Sequence, residues 1–331
     1  MPVLTLLDMA KRAGIDQIIG LVDDVIYNAP EINFFPALPK VGTSYRVGRI
    51  TNWPKSQFAK VSGGSTPSKS TFDQKVASLN LVNQQLQVPE EIVLADEGAS
   101  VEDILSGEAS RALKANWQLI GKQIYYGTAA DSNGFQGLQT TINGVPGLEV
   151  DASAGSPNAA GSNSSAYLIR LEDDAASLAV GKNGSMNLTP WQRQQVVLSG
   201  SGNSQLVTMA YVSAFIAYFG LTVASAWSAW RIKNISSAIG KGGGGTTFNL
   251  TDALAAELVA QIPQQFRRNL RWFITRDAAF SLQASRTAIN YQPAIQGGGQ
   301  PAWAPAPTVL EGYPITITDS LENPFNGTGG E

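Results

Sequence analysis

The chain has 331 residues, 43% hydrophobic and 15% charged, with a formal net charge of −3. That length allows about two domains with a sizeable core, and ordinary apolar content excludes a disordered chain. The slight acidity argues against a dedicated nucleic-acid binder. Cysteine is absent, which excludes disulfides, thiolate nucleophiles and Cys-ligated metals. Histidine is absent too, and with it the commonest general base and zinc ligand. The opening MPVLTLLDMAKRAG carries Asp8 early and lacks a signal-peptide core, so no export is expected.

Residues 1–39 hold a short amphipathic piece, about Thr5 to Ile19, and then a segment punctuated by Pro30, Pro36 and Pro39. This reads either as an arm lying on another surface or as a partly ordered terminus. Next come two extended runs, Thr43–Trp53 and Phe72–Val88, joined by the tip SGGSTPSKS. A long polar hairpin with no evident apolar face is poorly stable alone and requires a partner surface.

Charge is partitioned here. Lys40, Arg46, Arg49, Lys55, Lys60, Lys69 and Lys75 face only Asp73, whereas Glu90, Glu91, Asp96, Glu97, Glu102, Asp103 and Glu108 follow with no basic residue among them. Three readings fit. The basic hairpin, with Tyr45, Trp53, Phe58 and Phe72, touches nucleic acid; it lies across the acidic segment of a neighbouring copy; or both are solvated faces.

Ser100 to Tyr126 predicts one long helix. Ser100 with Asp103 three residues on is a start signal. Val101, Leu105, Ala109, Leu113, Trp117, Ile120 and Ile124 recur at helical spacing, and Gly127 supplies a left-handed stop. At 1.5 Å per residue the helix is about 40 Å long, a spine rather than a small packing element.

Beyond it, Asn133-Gly134 and Asn143-Gly144 mark tight turns, and 151–165 is a low-complexity surface loop. Tyr167–Leu171 and Ala176–Val180 read as short strands, followed by a turn at Asn183-Gly184. Residues 194–230 carry no charge, and Met209–Trp230 is long enough for a transmembrane span. Its serines, threonines and central Gly220 favour two buried strands broken at that glycine. A glycine connector at 240–245 precedes a helix from the N-cap Thr251 to Ile262, stopped by Pro263. A strand at Arg271–Thr275, a helix over Arg276–Ile289 begun by Asp277, and a strand pair at Val309–Asp319 turning at Gly312 complete the pattern.

No catalytic constellation emerges. A Ser-His-Asp site is excluded, no nucleophile elbow or S-x-x-K occurs, and the glycine run lacks the phosphate-loop pattern. Glu172, Asp173 and Asp174 have the chemistry for a carboxylate-dependent hydrolase or a hard cation, although adjacent acids in a turn are more often solvated. Arg267, Arg268, Arg271 and Arg276 with Phe266 and Trp272 form a basic-aromatic patch, better explained by Arg stems packed along a strand than by nucleic acid.

The order of arm, hairpin, acidic segment, long helix, turn-rich sheet, compact helical region and closing strand resembles the tailed-phage major capsid protein family, with its Hong Kong 97-type shell fold. The stretches GKQIYYGTAADSNGFQGL at 121–138, YFGLTV followed by WRIKNI at 218–235, and LEGYPITITDSL at 310–321 carry the resemblance. It implies an α+β fold with an N-terminal arm (1–39), an extended loop (40–94), a peripheral spine-helix domain (95–165 and 309–331) and an axial domain (166–308). The implied function is a structural subunit of an icosahedral bacteriophage head, without enzymatic activity or cofactor, assembling into hexamers and pentamers around double-stranded DNA. The loop would overlie the adjacent subunit, so that Lys55, Lys60 and Lys69 meet Glu90, Glu91, Asp96, Glu97 and Glu102 next door. Implied partners are further copies, a portal, a separate scaffolding protein, a decoration protein, and packaged DNA bound without sequence specificity. No membrane is implied: the protein would assemble in the host cytoplasm and reside in the virion capsid. The alternatives are a membrane-associated protein through 209–230 and the carboxylate-dependent hydrolase.

Overall fold

The computed structural model describes residues 29–61, 63–64, 66–95, 100–153, 163–184, 186–199, 206–236, 248–289 and 304–321. The expected amphipathic piece at 5–19 and the glycine connector lie outside them.

A helical turn α1 (Glu31–Phe34) and strand β1 (Ala37–Pro39) lead into β2 (Ser44–Asn52) and β3 (Thr71–Ser78), which pair only with each other. The second extended run of the sequence is therefore two strands. At Leu79, whose side chain is buried with Tyr45 and Ala179, the chain leaves the hairpin and enters β4 (Asn80–Pro89). A short helix α2 (Glu90–Ala95) precedes the spine α3 (Val101–Tyr126). Ser100 caps that spine as its sequence predicts, accepting from the Asp103 N–H at 3.2 Å and donating to the Asp103 carboxylate at 2.7 Å.

Then follow α4 (Leu138–Ile142), β5 (Glu149–Asp151), β6 (Asn163–Arg170), β7 (Ala176–Val180), α5 (Gly181–Gly184), β8 (Asn187–Leu188), β9 (Gln192–Ser199) and β10 (Leu206–Val223). After β11 (Ala229–Ser236) come α6 (Asp252–Gln261), β12 (Leu270–Ile274), α7 (Arg276–Ile289), β13 (Val309–Leu310) and β14 (Tyr313–Ile317). Thr251 caps α6 as expected. For α7 the cap is Thr275, whose hydroxyl accepts from the Ala278 N–H, rather than Asp277.

Two six-stranded sheets form the body. In the first, β10 pairs antiparallel with β4 over Ala210–Phe219, while β7, β8 and β9 also pair with β10, and β1 pairs parallel with β7. In the second the order is β13-β14-β12-β6-β11-β5. Since β14 pairs with β12 and β12 with β6, the ranges 309–331 and 166–308 share this sheet.

The apolar segment 209–230 is strand, not helix. β10 runs straight through Gly220, where a side chain would meet Leu79 and the Ser78 carbonyl at 2.9 Å. Glycine there admits the hairpin root, so the break falls later, at the capped turn Ser225–Ser228.

α3 joins the sheets. Its middle lies against the first sheet, where Trp117 meets Phe219 edge-on at 6.1 Å between ring centroids. Its last turn enters the second, where Tyr125 packs on Tyr167 and Phe273. The buried stripe takes in Ile104, Leu105, Ala112, Asn116, Ile120 and Ile124, while Leu113, expected inside, is exposed.

Past the spine the chain reverses in a loop with no room for side chains. Gly127 has φ 58° and ψ −132°, a positive φ outside the left-handed helical well and open in practice to glycine. A Cβ there would lie 2.1 Å from the Gly137 nitrogen, and one on Gly137 would lie 2.4 Å from the Gly127 nitrogen. The buried Gln123 side chain donates to the Phe135 carbonyl at 2.7 Å and the Asp131 carbonyl at 3.3 Å, clamping the loop between them. This is the physical content of the stretch 121–138.

Alanine at Gly127 should therefore cost about 2–4 kcal/mol, from overpacking and positive φ together. Gly107, on the same helix with nothing within 4 Å of its absent Cβ, should instead gain about 0.5–1 kcal/mol on becoming alanine. Urea midpoints of the two variants should move in opposite directions.

Candidate assembly interface

Most side chains in the clusters with catalytic or nucleic-acid potential are bonded within the chain, while Asp173 is exposed. Glu172 pairs with Arg170 at 3.4 Å and Arg268 at 3.2 Å and accepts from Asn269 at 2.9 Å; Asp174 pairs with Arg170 at 3.4 Å. Arg267 donates to the Ile262 carbonyl, Arg271 lies 4.0 Å over the Phe34 ring and donates to Thr316, and Arg276 pairs with Asp319 at 2.7 Å. The packed-strand reading fits Arg271, on β12; Arg267, Arg268 and Arg276 lie outside that strand and are bonded within the chain. Among the described residues no helix is long and apolar enough to cross a membrane, and no group of three acidic side chains is placed to hold a metal.

The hairpin is different. Its root is anchored: Tyr45 is buried with Leu79 and Ala179, and the Thr222 hydroxyl donates to the Tyr45 oxygen at 2.7 Å. Midway, Arg49 and Asp73 pair across the strands at 2.7 Å. Outward from there the apolar side chains lose cover. Ile50 stands opposite Phe72, both exposed, and Trp53, Phe58 and Val61 are 78%, 109% and 99% exposed. Lys55, Lys60 and Lys69 are exposed on the same tip. Between hairpin and body lies an open cleft of about 1170 Å³, lined on one side by Arg46 and Trp53 and on the other by Arg170, Asp174, Trp227 and Arg268. The hairpin thus stands off its own body. Of the aromatics singled out in the sequence, Trp53, Phe58 and Phe72 are presented outward and Tyr45 is not.

The acidic segment lies at the other end of the first sheet. Val88, Ile92, Val93, Ile104 and Leu105 form a small core joining β4, α2 and α3, with Val101, Trp191 and Tyr211 packed against it. This fixes the acids around it. Glu90 is taken within the chain by Arg193, at 2.7 Å, a pairing across 103 residues that nothing in the sequence signals. Glu91 is exposed and accepts from the Thr208 hydroxyl at 3.3 Å; Glu102 is exposed in the first turn of α3. Asp96 and Glu97 lie outside the described residues. So the structure gathers Glu90, Glu91 and Glu102 at one end of the sheet and places the three lysines on the projecting tip.

A projecting hairpin, a spine helix and two sheets are the parts of this fold, and they recur in solved structures. The structure is similar to that of bacteriophage Epsilon15, with a TM-score of 0.70 at 16% identity over 98% of this chain and 96% of that one. It is also similar to the capsid of bacteriophage JBD30, with a TM-score of 0.52 at 10% identity over 90% and 93%. These likenesses establish the Hong Kong 97-type α+β fold. No curated protein matches the sequence. A family model described as major capsid protein GP7 matches residues 40–324, and the chain belongs to that family. It is a tailed-phage major capsid protein: a structural, non-enzymatic subunit of an icosahedral head, located in the virion capsid and associating with copies of itself.

One ionisable group deep in the body is perturbed for structural reasons. Glu31 is fully buried at the start of α1 and accepts from the hydroxyls of Tyr125 at 2.9 Å, Ser320 at 3.2 Å and Thr318. Burial pushes its carboxyl above the ordinary 4.5, against the three hydroxyls that favour the charged form. The folded chain therefore holds a proton that the unfolded chain releases. That contribution to stability is complete below the ordinary value and lost as pH rises through the raised one. Glu31→Gln, which cannot ionise, should remove this dependence: the difference in urea midpoint between variant and wild type should change as pH rises above 4.5 and level off once Glu31 is ionised in both states.

Proposed function

We propose that the subunit tiles the head wall by hanging its β2–β3 hairpin over the next copy, in rings of six and five that enclose double-stranded DNA. The observation that carries this is the hairpin itself. A two-stranded ribbon is marginal alone, and this one exposes Ile50, Trp53, Phe58, Val61 and Phe72 with no cover from its own body.

Magnitudes assign the roles. An exposed ion pair contributes about 0–1 kcal/mol, whereas burying a Val or Phe side chain contributes about 1.5–3 kcal/mol. The lysines Lys55, Lys60 and Lys69 then set direction and register against Glu91 and Glu102 of the neighbour, with Asp96 and Glu97 of the same segment. Glu90, already paired with Arg193, serves as a fixed edge. The apolar tip supplies the affinity.

The domain division follows the sheets in this reading. This differs from the ranges expected from the sequence: β7 to β10, within 166–308, join α3 in the peripheral domain, and β5, β13 and β14 join α6 and α7 in the axial domain at the ring centre. A portal, a separate scaffolding protein, an outer decoration protein, non-specific contact with packaged DNA and assembly in the host cytoplasm belong to the same proposal. A near-neutral wall confines DNA without holding it, since each phosphate contact adds salt-dependent affinity.

Reversing the tip charge with Lys55→Glu, Lys60→Glu and Lys69→Glu together should sharply lower shell yield while the monomer keeps its circular dichroism. Adding Glu91→Lys and Glu102→Lys should restore part of that yield. Unchanged yield in the triple variant, read by sedimentation and negative-stain microscopy, would reject the pairing.

A further inference from the structure

The ring reading leaves open how one ring is joined to the next, and the inference here rests on that reading. An open strand edge presents unpaired N–H and C=O groups and accepts a further strand unless the chain blocks it. Most edges of this chain are blunted. β1, β5, β8 and β13 have three residues or fewer. β9 carries Arg193 and a register shift against β10, and the hairpin strands carry Arg46, Arg49 and Asp73. β4 is the exception. It is ten residues long and pairs on one side with β10, and among the described residues no strand pairs with its other side. Between Asn80, whose side chain donates to the Asn133 carbonyl at 2.7 Å, and Pro89 it has no charge, proline or bulge.

The two faces of β4 differ. Val88 belongs to the small core with Ile104 and Leu105 of the spine, and Val82 packs against the main core, so the even-numbered positions form the inner row. Leu81, Asn83, Gln85 and Gln87 make the outer row, in which Leu81, Asn83 and Gln85 are exposed. An amide both donates and accepts, so a row of amides is complementary to itself, as a row of like charges is not. The strand that fits this edge is therefore a second copy of β4.

We propose that β4 pairs antiparallel with β4 of a copy in the adjoining ring, across a two-fold axis through Gln85. A two-fold normal to the sheet joins the two first sheets into one and keeps both spines on the same side, as a wall with an inside requires. It also sets each outer-row residue opposite another outer-row residue. Of the registers this allows, only the one centred on Gln85 places every amide of the row opposite an amide. Asn83 then faces Gln87 of the second copy, and Gln85 faces its own counterpart. The contact is isologous, unlike the heterologous contact that closes a ring.

The absence of cysteine makes the test specific. Directly opposite residues of antiparallel strands have Cα atoms about 4.5–5.5 Å apart, within disulfide range. Shells are produced from the full chain carrying Gln85→Cys, alongside the assembly factors of the phage, and oxidised. Disulfide-linked dimers should form between identical residues, and not in shells of Leu81→Cys, an exposed position of the same row that would face Pro89. In parallel, a chain with Asn83→Lys and Gln87→Lys sets like charges opposite each other twice; it should keep the circular dichroism of the wild-type monomer and form rings but few shells. Asn83→Lys with Gln87→Glu sets opposite charges there and should recover shells. Shells without the 85–85 cross-link, or normal shell yield from the double lysine chain, would overturn the β4 joint and leave the rings standing. Absence of both rings and shells from the wild-type chain under the same conditions would overturn both readings.

Discussion

Two glycine backbones in contact at the end of the spine helix fix most of what this subunit is. Because Gly127 and Gly137 carry no side chains, the chain reverses at once after Tyr126, and α4 returns alongside the helix that precedes it. Gln123 then ties the reversal to the helix from inside. With the last turn held this way, Tyr125 enters the second sheet and meets Glu31 from the arm side, while Thr318 and Ser320 reach the same carboxyl from the far end of the chain. One buried acid thereby gathers the start, the middle and the end of the described chain. Buried charge is costly to hold, and the three hydroxyls around it make the arrangement specific.

From that fixed centre the spine runs outward along the first sheet, and its covering thins with distance. Near the second sheet the core is continuous, with Trp230 and Trp272 fully buried. At the other end only a small cluster around Ile104 and Leu105 remains, beyond which the strands overhang. The hairpin goes further and has no core of its own. Stability thus falls along the molecule while exposed apolar surface rises. A monomer built this way is rigid where it must hold curvature and unfinished where it must meet its neighbours.

Charge follows the same gradient. Deep arginines such as Arg170 are matched within the chain, and so are those that the sequence presents as a patch between 267 and 276. Among the described residues the lysines of the tip form no such ion pair, and the acids that stand opposite them in sign lie at the far end of the sheet. Exposed charges of this kind contribute little to the fold of one subunit. Their separation gives the surface a direction, which a wall made of identical parts requires.

Local signals settled much of this from the residues alone: the Ser100 cap, the helical spacing to Ile124, the end of the helix at Gly127, the Thr251 cap, the strand read at Arg271–Thr275 and found at Leu270–Ile274, and the turn at Gly312. Each depends on side chains a few positions apart, whose preferences are written into the backbone they occupy. The ordering of these parts was enough to carry the capsid resemblance and the absence of a catalytic set. The structure decided what depends on partners far along the chain. Gly220 marks a close approach rather than a break, because Leu79 sits against it. Leu113 faces out and Asn116 in, because the sheet meets the spine along one stripe only. Glu90 belongs to Arg193, and Glu31 to three hydroxyls, one of them 289 residues away. Hydrogen bonds and packing at such separations are fixed by topology, which no local pattern of residues encodes.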